Sequence, residues 1–145
     1  MNSSDIIKCN MKLEINGEQV DVVDLITDAG IAKASSILAN PNSFSDSWMP
    51  FIAIGDGLIP PANTDPTLSG NELHRKRGSV YSIGNTYFVE ATFLMNEPVV
   101  DCVISEVAIF DAIAGGIMGA RWMLIADIDK AVTEEVYIRC SITLL

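Results

Sequence analysis

The sequence predicts a mainly β protein, an antiparallel β-sandwich with one N-terminal α-helix, and three observations lead there. The C-terminal stretch Val136 to Leu145 alternates, with Val136, Ile138, Cys140, Ile142 and Leu144 on one side and Tyr137, Arg139, Ser141 and Thr143 on the other. That is the two-residue period of a half-buried strand. From Glu72 onward, β-branched and aromatic runs are divided by turn signals at Gly84-Asn85 and Gly115-Gly116, as in successive strands of a sandwich. Between Val22 and Ala39 the apolar spacing changes to threes and fours, which reads as an amphipathic helix.

Taken in order, Lys12 to Ile15, the Asn16-Gly17 pair and Glu18 to Val22 form a short hairpin, because Asn-Gly suits a two-residue turn between strands. The helix follows over 22–39, weakened by Gly30 and stopped by Asn40-Pro41, since a residue before proline avoids helical angles. Residues 42–48 are a polar loop, and Pro50 to Ile54 is a short strand. Gly55 to Gly70 is a long irregular loop with prolines at 60, 61 and 66. Four stretches then read as strands before the last one: Glu72 to Ile83, Thr86 to Met95, Cys102 to Phe110 and Ile117 to Ile128. A chain of 145 residues fits a single domain, 1–145, with an arm or hairpin over 1–21, the helix over 22–39 and strands over 50–145.

Composition narrows the function classes. Hydrophobic residues make up 49% of the chain and mean hydropathy is +0.31, which predicts apolar surface covered in an assembly. A membrane span is not expected, because the most apolar stretch, Val99 to Ala126, is interrupted by Asp101, Glu106, Asp111 and Arg121. Asp5 and Lys8 flank only Ile6 and Ile7, too short an apolar core for a signal peptide, so synthesis in the cytosol is the expectation. A net charge of −10 argues against nucleic-acid binding. Cys9, Cys102 and Cys140 are odd in number and widely spaced, a pattern of small buried hydrophobes rather than of a zinc site or disulfide framework.

No catalytic, cofactor or metal site is expected. His74 is the single histidine and lies in the basic run His74-Arg75-Lys76-Arg77, where neighbouring cations disfavour the protonation a general base must undergo. Asp101, Glu106 and Asp111, and separately Asp127 and Asp129, do not have calcium-loop spacing. Ile54-Gly55-Asp56-Gly57 has the glycines of a phosphate loop but no lysine at the required place, so tight backbone turning is the expectation. Two charges carry more information. Glu106 alternates with Ile104, Ala108 and Phe110, and Arg121 shares a face with Met123 and Ile125. Charges on apolar strand faces need partners, so the two are expected to form a structural ion pair, buried or at an interface.

An ordered set of segments carries a resemblance. Phe51-Ile52-Ala53-Ile54-Gly55-Asp56-Gly57 leads into the proline-containing loop, then Thr67-Leu68-Ser69-Gly70-Asn71-Glu72-Leu73 and Arg75-Lys76-Arg77. Val89-Glu90-Ala91-Thr92-Phe93 follows, then Ile104 to Ala112, a double glycine and Met118-Gly119-Ala120-Arg121. Over roughly Asp28 to Leu145 this order resembles small bacteriophage virion structural proteins related to the tail-collar and tail-fibre N-terminal domain family; Met1 to Val20 lies outside the pattern. The resemblance implies a non-enzymatic homo-oligomer, with a trimer favoured, that attaches to other virion proteins as a tail-fibre, collar or baseplate-type component. Capsid decoration, as a cement protein, is the alternative. A glycan-binding module is a further reading, which exposed Trp48, Tyr81 or Trp122 would support. On the assembly reading, Pro60, Pro61, Arg75, Lys76 and Arg77 are the interface candidates: the long loop and basic run should touch another particle protein, and serine at 75, 76 and 77 should spare the fold.

Overall fold

The computed structural model describes residues 9–38 and 48–144. Ten strands and one helix follow in the order β1 (Cys9–Ile15), β2 (Glu18–Gln19), β3 (Val22–Ile26), α1 (Asp28–Leu38), β4 (Phe51–Gly55), β5 (Glu72–Arg77), β6 (Ser79–Ile83), β7 (Thr86–Phe93), β8 (Cys102–Phe110), β9 (Met118–Lys130) and β10 (Val136–Leu144). They build two five-stranded sheets, ordered β2-β1-β10-β7-β6 and β3-β9-β8-β4-β5. All strand pairs are antiparallel. The architecture is the antiparallel β-sandwich with one helix that alternation and turn spacing predict.

The inner faces meet in one core. Leu13, Val89, Phe93, Ile138 and Cys140 from the first sheet pack with Ile52, Ile54, Val107, Ile109, Trp122 and Leu124 from the second. Each fully buried side chain of this size contributes about 1.5–3 kcal/mol of hydrophobic stabilisation. Burial pushes the Cys140 thiol well above the ordinary cysteine value, consistent with a cysteine packed as a hydrophobe. At the N-terminal hairpin Asn16 and Gly17 both have positive φ, 53° and 85°, the combination a type I′ turn requires.

The helix is shorter than its apolar spacing suggests. Residues 22–26 form β3, paired with β9 from Val22↔Leu124 to Ile26↔Ala120. The β-branched Val22, Val23 and Ile26 fit that pleated edge. Thr27 then caps α1: its Oγ1 accepts the Gly30 N–H at 3.0 Å, the N-cap bond that fixes a helix start. Position 39 and the polar loop over 42–47 lie outside the described residues. The run Glu72 to Ile83 also divides, at Gly78, into β5 at the edge of one sheet and β6 at the edge of the other.

The 55–71 connection adds a partial third layer. Its Leu68 is buried with Ala53, Ala108, Phe110 and Met118 in a second apolar cluster, against which Phe51 also packs. These side chains lie on the face of the β3-β9-β8-β4-β5 sheet that points away from the main core.

Candidate functional site

Beneath this connection sits the densest polar constellation of the described residues. Glu106 is fully buried on β8, and Arg121 on β9 is 1% exposed. The Arg121 Nε donates to Glu106 Oε1 at 2.9 Å. They are diagonal neighbours, with Ala108 opposite Arg121 and Met123 opposite Glu106. A register shift between Ile104 and Glu106 explains how the carboxylate reaches this face. Strict alternation would place the two residues together, whereas Ile104 belongs to the main core and Glu106 faces the outer connection. Over this shift β8 advances two residues and β9 five, and such a mismatch re-aims the side chains beyond it.

The remaining carboxylate acceptor sites are filled by the connection itself. The N–H groups of Gly57, Ser69 and Gly70 all donate to Glu106, the last two at 2.9 Å, and Ser69 Oγ joins them at 3.2 Å. Gly57 therefore helps to bind an anion, and that anion is the chain's own glutamate rather than a phosphate. A Cβ at Gly57 would lie 1.8 Å from Ser69 Oγ and 2.2 Å from Glu106 Oε2, so the glycine is required by close approach. Arg121 holds the middle of the connection: Nη1 donates to Asp65 at 3.1 Å, and Nη2 to Ser69 Oγ at 2.7 Å and to the Ile59 carbonyl. Asp56 closes the base by accepting the Asn71 N–H at 2.7 Å, and Asn63 O accepts the Asp28 N–H at the start of α1. The connection is thus ordered from within, by a buried ion pair and its hydrogen bonds. Pro60 is exposed and Pro61 half-buried near its tip, beside exposed Leu58 and Ile59.

The basic run expected to act as a unit does not form a single patch. Strand alternation sends Arg75 and Arg77 to one side of β5 and His74 and Lys76 to the other. The Arg75 side chain is 6% exposed and pairs with Glu72 at 2.6 Å. Its Nη1 donates to the carbonyls of Ala112 and Gly115, both at 2.8 Å, and its guanidinium lies 3.6 Å from the Phe110 ring centroid. Arg75 pins the β8–β9 turn, so serine there removes structural contacts and would not spare the fold. Lys76 donates to Glu97 and to the Thr92 carbonyl, both at 2.8 Å, and His74 lies 3.3 Å from the same Glu97. Arg77 is the exposed member, 5.5 Å from the Phe51 ring.

Three of the carboxylates considered for calcium have separate partners. Asp111 pairs with Lys33 at 2.9 Å, Asp101 accepts the Val132 N–H at 2.7 Å, and Glu106 is committed to Arg121. Among the described residues no group of three His, Cys, Asp or Glu side chains could hold a metal ion. Trp48 and Trp122 are buried, and Tyr81 is half-buried and stacked on Phe88 with ring centroids 4.8 Å apart. The exposed tryptophans that would have favoured a glycan platform are therefore absent among the described residues. The loop donors to Glu106 had one signal in the sequence: glycines at 55, 57 and 70 bracket a connection next to a carboxylate that needs donors.

Two of these carboxyls predict a pH dependence. The Lys76 hydrogen bond, helped by the Leu94 N–H, holds Glu97 below its ordinary value of 4.5. Burial pushes Asp111 up, but the Ile117 N–H and Lys33 outweigh it and leave it below 3.8. Both folded values are depressed, so each ionised group stabilises the fold above its unfolded value, and that contribution is lost as pH falls through the folded value. The melting temperature should fall on acidification below about pH 4.5, and Lys76→Met should flatten part of the fall. An unchanged pH profile in the Lys76 variant would remove Glu97 from the explanation.

No family model, curated protein or solved structure matches the chain.

Proposed function

We propose that the chain is a non-enzymatic structural component of a bacteriophage particle, working by assembly with copies of itself and with other virion proteins, as a tail-fibre, collar or baseplate-type part. The observation that carries the reading is how the molecule spends its polar chemistry. Its most elaborate constellation, Glu106 with Arg121, Ser69 and the loop N–H groups, is consumed internally to order a connection. Several large apolar side chains face outward beside the surface charges, with Leu58, Ile59, Val99, Val100, Ile113 and Ile125 all exposed. A rigid framework presenting apolar side chains suits assembly, where such surface becomes covered. The order of sequence segments from Phe51 to Arg121 supports the same reading.

The test is protein mass spectrometry of purified particles made from the genome that encodes the chain, with light scattering of the isolated protein. The expected results are a fixed copy number per particle and a closed oligomer, a trimer favoured. Absence from the particles would overturn the reading. Reconstruction of the particle would then separate a tail position from capsid decoration.

A further inference from the structure

We propose that one end of the sandwich, formed by the β7–β8 and β9–β10 connections, is a docking site for a partner segment carrying both apolar and cationic side chains. The proposal deepens the assembly reading above by naming the chemistry of one partner. The β7–β8 connection groups exposed apolar side chains: Val99 is 78% and Val100 59% exposed, and Leu94, Met95 and Val103 are exposed beside them. Grouped apolar surface of this kind marks an interaction site more often than scattered single residues do.

The segment is also held in place before any partner arrives. The Glu97 N–H donates to the Leu94 carbonyl at 3.0 Å, and the Leu94 N–H to Glu97 Oε1 at 2.8 Å. Across to the other connection, the Asn96 N–H donates to the Val132 carbonyl at 2.8 Å. Lys130 Nζ donates to the Leu94 carbonyl at 3.1 Å, and the Val132 N–H to Asp101 at 2.7 Å. A tied surface loses little conformational entropy on binding, so its apolar area counts more fully towards affinity.

Charge selects the occupant. A groove of about 300 Å³ at this end is lined by Asp101, Val103, Asp129 and Glu134. Its lining cation, Lys130, is 1% exposed and already donates to a carbonyl. Three carboxylates thus line the groove, and Val103, which also lines it, belongs to the exposed apolar group of the neighbouring β7–β8 connection. A second copy of this chain is a poor match. Lys33, Arg75, Lys76, Arg121 and Arg139 are all in ion pairs. Among the described residues that leaves Lys12 and Arg77 outside ion pairs and carbonyl contacts, on a molecule of net charge −10. A different, basic protein segment satisfies both halves of the site.

The test is a nuclear magnetic resonance titration of the whole protein with a short synthetic peptide of alternating leucine and lysine. Serine–lysine and leucine–glutamate peptides serve as controls. Shift changes should be confined to residues 94–103 and 129–134, and the serine–lysine peptide should bind at least about tenfold more weakly. Val99→Ser with Val100→Ser should weaken binding by a similar factor, and Asp129→Asn with Glu134→Gln should reduce its salt dependence, Asp101 being left in place. These side chains are exposed, so the melting temperature serves as the folding control. Equal binding of the two lysine peptides, shifts mapping elsewhere, or unchanged affinity in the valine variant would overturn the proposal. So would self-association that the valine variant abolishes, since the occupant would then be a second copy, or sedimentation with neutral lipid vesicles lost in that variant. None of these outcomes depends on whether the chain is found in particles, so this site and the assembly reading can fail separately.

Discussion

Replacing Arg121 by methionine should destabilise the protein by about 3–5 kcal/mol, the typical cost of leaving a buried charge without its partner. The abandoned charge is Glu106, which is 0% exposed in both residue and side chain. The same substitution removes the donors to Asp65, Ser69 and the Ile59 carbonyl, so the middle of the 55–71 connection should loosen first. Glu106→Gln fails differently. The amide keeps the shape, but its NH2 must face the N–H groups of Gly57 and Gly70 or the N–H of Ser69, and donor meets donor. Each unsatisfied buried group costs about 1–3 kcal/mol. The double variant should therefore cost less than the sum of the singles, yet remain well below wild type, because the loop partners are left unpaired even when the charges balance. Urea denaturation of all four proteins measures this. Coupling below about 0.5 kcal/mol would mean that the two side chains act independently. Proteolysis near Ile59, faster in Arg121→Met than in wild type before global unfolding, would locate the local effect.

How much of this was legible in the sequence follows from which residues obey a simple period. β10 does: Val136, Ile138, Cys140 and Ile142 are all buried, and Tyr137, Arg139 and Thr143 are half-exposed. The Asn16-Gly17 turn was legible because few residue pairs tolerate positive φ twice in succession. The pairing of Glu106 with Arg121 followed from burial cost alone, but its hydrogen-bonded surroundings did not, since Gly57, Asp65 and Ser69 reach the site through an irregular connection without period. The register shift before Glu106, two residues of β8 against five of β9, was invisible for the same reason: such an irregularity leaves no mark on composition.

The errors have equally specific causes. Val22, Leu25, Ile26 and Ala29 read as threes and fours because a strand runs directly into a helix. Thr27 marks the junction, and its capping role depends on the Gly30 N–H and on the carbonyl of Met118, 2.5 Å away on a strand 91 residues later. Tertiary pairing with β9 overrode the local pattern. For His74 to Arg77 the remedy was available. The alternation that sorts β10 also separates Arg75 and Arg77 from His74 and Lys76, and charges sent to opposite faces cannot form one patch.

Gly30→Ala should destabilise the protein by about 2–3 kcal/mol or more, although helix propensity alone says the opposite. Within a helix, alanine is favoured over glycine by about 1 kcal/mol, and Gly30 lies inside α1 without a positive φ. Packing reverses the sign. A Cβ at position 30 would lie 2.3 Å from the Gly119 carbonyl oxygen and 2.6 Å from the Gly119 Cα. Those are backbone atoms of β9, so no side-chain rotation relieves the overlap. Retreat of the helix is opposed as well: the Gly119 carbonyl accepts the Thr27 N–H at 3.0 Å, and the Gly30 carbonyl accepts the Trp48 indole N–H at 3.0 Å. Overpacking against fixed neighbours typically costs about 1–3 kcal/mol, to which the broken cap and indole bonds add. The reference is Ala32→Gly on the exposed face of the same helix, where propensity acts without contact and the loss should be about 1 kcal/mol. If backbone propensity governed position 30, the two substitutions would shift the melting temperature in opposite directions. If the approach of α1 to β9 governs it, both lower the melting temperature, Gly30→Ala by more, at roughly 2–4 °C per kcal/mol for a chain near this length. A melting temperature that rises in Gly30→Ala would mean that the helix is free to move away from the strand, and that Thr27 and Trp48 do not anchor it.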